Sequence, residues 1–432
     1  MFDYAKYSQQ KVNKMPLSLI YFIAPLDFIL TFCHQKTLIF QIKVVTLRAK
    51  NLYIGKTKTL LTAKSFVTMK KIILSLFLAI LAITATAQIK VEVSETVELL
   101  SILARTAGYP EYSMDLAGQY TTDTETWFAP YRQHAAVALA QDIRAKYGIG
   151  YERIMNMAVH LDIEKGKLAL IGNRAELNNG VYNGWQNVDV DDFVEKLNQF
   201  YKDTRFHKFF EQHRAFYDEG IKNFETEVLP TFHQKWYAGF YGTEAPGQFH
   251  IVINFTYGRH NNGANRQLPG QPFEVFAIMG YQLNPATAQP QWFPDILIHE
   301  FNHSFVNPLL DNATNAALIE KVGQRLYTWS QPEMNNQAYN DWRIVINESV
   351  VRAAVFIYMK DNGLVSKQTL NDMFNEIWRN GFRWTPELVA SLRYYANNRD
   401  KYKTLGDYYP EIAKCLEKYI IDEAGRMQNA LK

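Results

Sequence analysis

Residues 292–306 form the segment that most constrains the fold, because large apolar side chains occupy most of their positions. Pro294 suits the first turn of a helix, Asp295 suits the positive end of the helix dipole, and Asn307-Pro308 predict the helix end. A helix that is apolar nearly all round has to be buried by the rest of the protein. Any polar side chain on it then needs a partner, since an unpaired buried charge costs free energy.

Three polar residues interrupt this helix in the pattern HExxH, and they are His299, Glu300 and His303. Side chains four positions apart lie on one helical face, so the two histidines could bind one metal ion while Glu300 leans toward the metal's open position. This arrangement is typical of zinc hydrolases, in which the glutamate handles the proton of the attacking water. We therefore predict Zn²⁺ as the cofactor, His299 and His303 as metal ligands, and Glu300 as the catalytic residue.

A catalytic zinc ion needs a third protein ligand, which leaves the fourth position for water. The extended pattern HExxHxxGxxH is excluded, because Val306 and Leu309 stand where its glycine and its last histidine would be. No histidine follows His303, so the third ligand has to be a downstream carboxylate. Glu320 falls on the polar side of its helical segment and is the weaker of two candidates.

Glu348 is the stronger candidate, because its helical neighbours are mainly apolar. Ile344, Val345 and Val351 lie three or four positions away, so the carboxylate faces inward and needs a partner. Arg352, four positions further on, could hold it ionised. We predict Glu348 as the third metal ligand, and the alternative is a buried Glu348–Arg352 ion pair without a metal.

The start of the chain predicts export. Residues 69–88 combine a start at Met69 and two lysines with an apolar run at 72–83 and small residues before Gln88, which is the pattern of a secretory signal peptide. We predict cleavage near Ala87-Gln88 and a periplasmic or extracellular location. Residues 1–68 are then upstream sequence joined to the chain by error.

The charge distribution argues against a nucleic-acid partner. The formal net charge of +3 comes from residues 1–87, which hold twelve Lys/Arg and two acidic residues and leave 34 Lys/Arg against 41 Asp/Glu for 88–432. The two cysteines, Cys33 and Cys415, supply neither a disulfide framework nor a cysteine-rich metal site. The mature chain contains no stable predicted membrane span.

The hydrophobic pattern predicts an α+β fold that is mostly α. Residues 88–245 are mainly helical, and residues 246–432 are expected to form the domain that carries the metal site. Alternating apolar positions predict strands at 249–255 and 275–282, which make a small sheet beside the HExxH helix. The turn-rich stretch 258–265 between them is predicted to be a loop.

The HExxH motif, followed downstream by Asn347-Glu348, resembles the site of the glutamate zincins. In these thermolysin-like and aminopeptidase-like metallopeptidases, the third ligand lies in an Asn-Glu pair on a second helix. Forty-four residues separate His303 from Glu348, more than in the best-known members, which implies an inserted helix at 314–328. Together with the 109–112 segment (YPEY), the stretches HEFNHSFVNP and NESVVRA also resemble a family of secreted bacterial proteins catalogued as a domain of unknown function. That family suggests no substrate.

The expected function is a secreted zinc-dependent metallopeptidase with a zincin-like domain, acting on a peptide or protein substrate. Two alternatives are a non-catalytic protein that keeps the zincin fold for binding, and a metal-dependent amidase acting on non-protein amides. The resemblance implies that a tyrosine or histidine stabilises the oxyanion. With no later histidine available, the candidates for that role are Arg352, Arg383, Tyr394, Tyr395 and Tyr402.

Overall fold

A four-stranded sheet connects the beginning of the described chain to its central part. The computed structural model describes residues 89–178, 184–242 and 247–430, so the predicted signal peptide and the segment before it lie outside the described residues. The strands are β1 (Lys90–Glu92), β2 (Leu161–Glu164), β3 (Lys167–Leu170), β4 (Gln248–Asn254), β5 (Asn261–Gln267) and β6 (Phe273–Gly280). The sheet has the order β1-β4-β6-β5, while β2 and β3 form a separate antiparallel hairpin. Strands β1, β4 and β6 are parallel, and β5 runs antiparallel to β6.

Helices make up most of the rest of the described chain. They are α1 (Glu95–Thr106), α2 (Gln119–Phe128), α3 (Ala135–Tyr147), α4 (Glu152–Val159), α5 (Val190–Asp203), α6 (Phe206–Gln212), α7 (Arg214–Glu227), α8 (Gln234–Tyr241), α9 (Pro294–Asp311), α10 (Ala313–Trp329), α11 (Gln331–Asn336), α12 (Trp342–Asp361), α13 (Lys367–Arg379), α14 (Thr385–Asn397) and α15 (Leu405–Ala430). The described residues belong to one compact unit. Within them, no helix combines the length and the apolar character needed to cross a bilayer.

The two faces of the sheet are covered by different helices. On strand β4, Phe249 packs its ring against Phe301 of helix α9, with 4.9 Å between the ring centroids. Asn254 points to the other face, since alternate strand residues point to opposite sides. Its side-chain amide donates to the Ser101 hydroxyl of helix α1 at 2.7 Å. Helix α9 therefore covers one face and helix α1 the other.

Helix α9 lies very close to the edge strand β5, and a glycine permits this approach. A Cβ atom placed on Gly263 would lie 2.3 Å from the carbonyl oxygen of Glu300 and 3.0 Å from the Cβ of His303. Any larger residue would push the helix away from the strand. The backbone of Gly263 thus packs directly on the backbone of Glu300, and this contact fixes the HExxH motif against the sheet.

The structure corrects two of the local predictions. The stretch 258–265, expected to be a loop, contributes most of strand β5, which pairs with β6 over its whole length. Asparagine and glycine have low β propensity, and pairing with a buried neighbour overrides it here. The helix that was expected to end at Asn307-Pro308 continues to Asp311 with Pro308 inside it. Burial of the helix on the sheet outweighs the hydrogen bond that proline removes.

The broader predictions agree with the structure. The protein is mostly helical with a small mixed sheet, as expected for an α+β fold. Strands β4 and β6 lie where alternation predicted them, and helix α9 begins at Pro294. The inserted helix predicted at 314–328 is helix α10.

Candidate metal centre

Helices α9 and α12 bring the three predicted ligands together. The helical period places His299 and His303 on one face of α9, with their Nε2 atoms 3.1 Å apart. Helix α12 packs against α9 and carries Glu348. Its Oε2 lies 3.4 Å from Nε2 of His299, and its Oε1 lies 3.4 Å from Nε2 of His303. The two helical turns that carry the predicted ligands thus meet in the structure.

These three side chains lie close enough together to hold one metal ion. With ligand bonds of about 2.0–2.1 Å, two ligands of a tetrahedral zinc lie about 3.3 Å apart. The two histidine Nε2 atoms lie 3.1 Å apart, close to this value, and each lies 3.4 Å from a different oxygen of Glu348, so the carboxylate turns both oxygens toward the histidines. The buried Oε2 atom of Glu348 makes no hydrogen bond of regular geometry, and its charge is met by the guanidinium group of Arg352 at 3.1 Å. Two imidazoles and one carboxylate leave the fourth corner of the tetrahedron open, as a catalytic site requires.

Burial keeps His299 in the neutral form that metals bind. The side chain is buried, and burial is the largest influence on it. Burial lowers the pKa of His299 to about 4, although the neighbouring carboxylate of Glu348 acts in the opposite direction. His303 is half-buried, and its Nδ1 lies 3.1 Å from Oδ1 of Asn307. That contact orients the ring with Nε2 toward Glu348.

The carboxylate of Glu348 is charged because Arg352 lies beside it. Burial alone raises the pKa of Glu348, but the charge of Arg352 and the contact with His299 bring this pKa well below its usual range. Nη2 of Arg352 lies 3.1 Å from Oε2 of Glu348. The Glu348–Arg352 ion pair, which the sequence analysis gave as the alternative to a metal site, is therefore present. Both histidines face the same carboxylate.

Glu300 lies next to the triad on α9 and is held by strand β5. The backbone N–H of Gly263 donates to its carboxylate. Burial, reinforced by the negative charge of Glu348, raises the pKa of Glu300 well above its usual range. A cation at the triad would act against this rise. Glu300 is thus a carboxyl group that can accept and return a proton beside the metal position.

Tyr339 belongs to this site, although the sequence analysis missed it. Its hydroxyl accepts a hydrogen bond from Nη2 of Arg352 at 3.0 Å. Burial, followed by the charge of Glu348, raises the pKa of Tyr339 well above its usual range, so the hydroxyl keeps its proton. Tyr339 lies in the short connection between helices α11 and α12. No periodic pattern covers that connection, so its side-chain direction could not be read from the sequence.

The structure does not bring the other oxyanion candidates to the triad. The hydroxyl of Tyr395 is buried elsewhere and donates to the carbonyl of Phe240 at 2.6 Å, while Tyr394 is 51% exposed. Arg383 pairs with Glu333. Among the described residues, no hydrogen bond or ion pair joins the triad to Tyr394, Tyr395, Tyr402 or Arg383. Glu320, the weaker ligand candidate, is exposed on α10 and bonds to Gln324.

Comparison with known proteins identifies the family. No curated protein and no solved structure matches the chain significantly. One family, described as a domain of unknown function (DUF4932), matches residues 89–415. This range contains the three candidate ligands, Glu300 and Tyr339. Because the match covers more than half of the sequence, the chain belongs to the family of the domain of unknown function DUF4932.

Proposed function

We propose that the protein is a zinc-dependent metallopeptidase that cuts peptide bonds with an activated water molecule. The observation that carries this proposal is the convergence of two histidine Nε2 atoms, 3.1 Å apart, with the carboxylate of Glu348, whose Oε2 and Oε1 each lie 3.4 Å from one of them, in a group that can hold one metal ion. Glu300 stands beside that site with its carboxyl group buried. A binding protein without catalysis has no need of this second carboxyl group, so the arrangement favours hydrolysis.

Each residue then has a defined task. When bound by His299, His303 and Glu348, zinc would supply a Lewis acid that activates water and polarises the scissile carbonyl. Glu300 takes the proton of the attacking water and delivers it to the leaving amine. The Gly263 N–H holds the Glu300 carboxylate in place for both transfers.

Tyr339 is the donor we assign to the developing oxyanion. Its hydroxyl accepts from Arg352 and can donate to the carboxylate of Glu348, and a developing oxyanion would compete with that carboxylate for the proton. An oriented donor of this kind stabilises negative charge where it develops on the carbonyl oxygen. Arg352 then serves to position Tyr339.

The edge strand supports a peptide as the substrate. Strand β5 is the outermost strand of the sheet in the described part of the chain, and it runs directly beside Glu300. An extended peptide can add to such an edge by main-chain hydrogen bonds, at positions other than Gly263 and Gln267, whose N–H groups already donate to Glu300 and Glu176. The predicted signal peptide places this activity in the periplasm or outside the cell, where peptide or protein substrates are accessible.

The test measures zinc and hydrolysis in the same preparations. The purified protein should bind about one zinc per chain and cleave members of a peptide library. Glu300→Gln should keep its zinc and lose all cleavage, because it removes only the proton acceptor. Absence of zinc uptake by the wild-type protein, or full activity of Glu300→Gln, would contradict the proposal.

A further inference from the structure

A chain of hydrogen-bonding contacts runs through both histidines. Nη1 of Arg352 lies 3.4 Å from Nδ1 of His299. Arginine can only donate, so this Nδ1 atom accepts, and in a neutral ring the proton then sits on Nε2. The Nε2 proton of His299 then faces two acceptors, Nε2 of His303 at 3.1 Å and Oε2 of Glu348 at 3.4 Å. His303 completes the chain by donating from Nδ1 to Oδ1 of Asn307 at 3.1 Å.

The two histidines are therefore prepared differently for a metal. A histidine that binds zinc through Nε2 carries its proton on Nδ1 and donates it to an acceptor. His303 already has this arrangement, with Asn307 as the acceptor. His299 has a guanidinium group in the acceptor's place. Binding of a metal by His299 thus requires its proton to move from Nε2 to Nδ1 and the contact with Arg352 to open.

The same guanidinium group neutralises the third ligand. Nη2 of Arg352 lies 3.1 Å from Oε2 of Glu348 and 3.0 Å from the hydroxyl of Tyr339. The guanidinium also packs on the ring of Phe382, 4.8 Å from its centroid. A buried carboxylate without a cation is strongly destabilising, and Arg352 provides that cation when no metal is present.

We propose that Arg352 is an internal counter-ion that replaces the charge of the metal in the metal-free protein. It holds Glu348 and His299 in a folded, metal-free arrangement, and an incoming metal ion competes with it for both. The inference rests on the proposed metal site and concerns how that site is loaded. Its consequence is a protein that folds before it binds zinc and binds zinc less tightly than the same ligands would without the arginine.

Arg352→Gln separates this role from a merely structural one. The variant lacks the positive charge, and its amide oxygen can accept from Nδ1 of His299 in the metal-bound tautomer. The metal-free variant should be less stable, since Glu348 loses its cation, while the zinc-bound form loses a repulsion between two cations. We expect zinc affinity to rise by about tenfold or more and the increase in Tm on adding zinc to become larger.

The measurement is competition for Zn²⁺ against a chelator, together with Tm with and without zinc. Arg343→Gln, the same change at an exposed position of helix α12, is the matched control and should behave as the wild type. An affinity of Arg352→Gln equal to or weaker than that of the wild type would overturn the inference while leaving the metal site intact. Failure of the wild type to bind zinc would instead overturn the metal site itself.

A second measurement does not depend on the variant folding. Long-range ¹H–¹⁵N spectra of the metal-free wild-type protein distinguish the two neutral tautomers of histidine. We expect His299 to carry its proton on Nε2 and His303 to carry it on Nδ1, and zinc should move the proton of His299 to Nδ1. A metal-free His299 that already carries its proton on Nδ1 would contradict the competition with Arg352.

Discussion

Two buried glutamates on opposite sides of the sheet face very different partners. Glu98 of helix α1 accepts hydrogen bonds from the Phe255 N–H at 2.6 Å, the Tyr120 hydroxyl at 2.7 Å and the Thr256 hydroxyl at 3.0 Å. These donors are all neutral. Glu348 of helix α12 instead faces a cation and the Nε2 atoms of two histidines.

The difference separates a structural carboxyl group from a candidate metal ligand. At Glu98 every partner is a donor, so the site is complete without any bound species. At Glu348 three groups that can bind a metal lie together, and the charge of the carboxylate is met by Arg352. Burial alone therefore does not mark a carboxylate as a candidate ligand, whereas its grouping with two histidines does.

The largest expected effect concerns zinc binding by Glu348. Glu348→Ala should lower zinc affinity by more than about 100-fold, because even the outer partners of metal ligands are worth about 10–100-fold. Glu320→Ala, at an exposed position of helix α10, is the control and should bind zinc as the wild type does. Zinc content and chelator competition measure both. Equal zinc binding by the two variants would show that Glu348 is not a metal ligand and does not differ from Glu98 in that respect.

The candidate metal site and the surroundings of Glu98 were predictable from the sequence to different degrees. His299, His303 and Glu348 were found because the spacing of four and the apolar neighbours are local properties of a helix. The partners of Glu98 come from residues 120, 255 and 256, at sequence separations of 22 to 158. Strand β5 is specified by its neighbour and not by its own sequence. Only the assembled fold could supply those contacts.

The next effect is on catalysis by Tyr339. Tyr339→Phe should lower kcat by about 100- to 1000-fold, since removal of one oxyanion donor has an effect of that size in other hydrolases. Zinc content should not change, because the hydroxyl is not a ligand. Steady-state kinetics on a cleaved library peptide give kcat and KM separately. A change confined to KM would show that Tyr339 binds the substrate without stabilising the oxyanion.

A third prediction uses the pH dependence of Glu98. Burial, only partly offset by the donors around it, raises the pKa of Glu98 to about 7. Between the unfolded pKa of 4.5 and about 7, the native state holds a proton that the unfolded state has lost. Stability therefore falls as pH rises through this window, by roughly 3 kcal/mol, and is constant above it.

Glu98→Gln should remove this contribution, because its amide does not titrate. The free energy of unfolding of the variant, relative to that of the wild type, should therefore be higher at pH 8 than at pH 4. Urea unfolding at the two pH values measures the difference in free energy of unfolding. If the relative stability of the two proteins is the same at both, Glu98 is not the proton-binding group that its neutral surroundings imply.

The smallest effect tests the neutral donors themselves. Tyr120→Phe removes one hydrogen bond to Glu98 and one contact with the hydroxyl of Tyr217, which lies 2.9 Å away. The free energy of unfolding should fall by about 1–2 kcal/mol, the usual effect of losing a buried hydrogen bond. Zinc affinity and kcat should both stay at the wild-type level, because Tyr120 lies on the face of the sheet opposite to helix α9. The same Tyr→Phe change thus lowers stability on one face and catalysis on the other, and loss of activity in Tyr120→Phe without loss of stability would contradict that division.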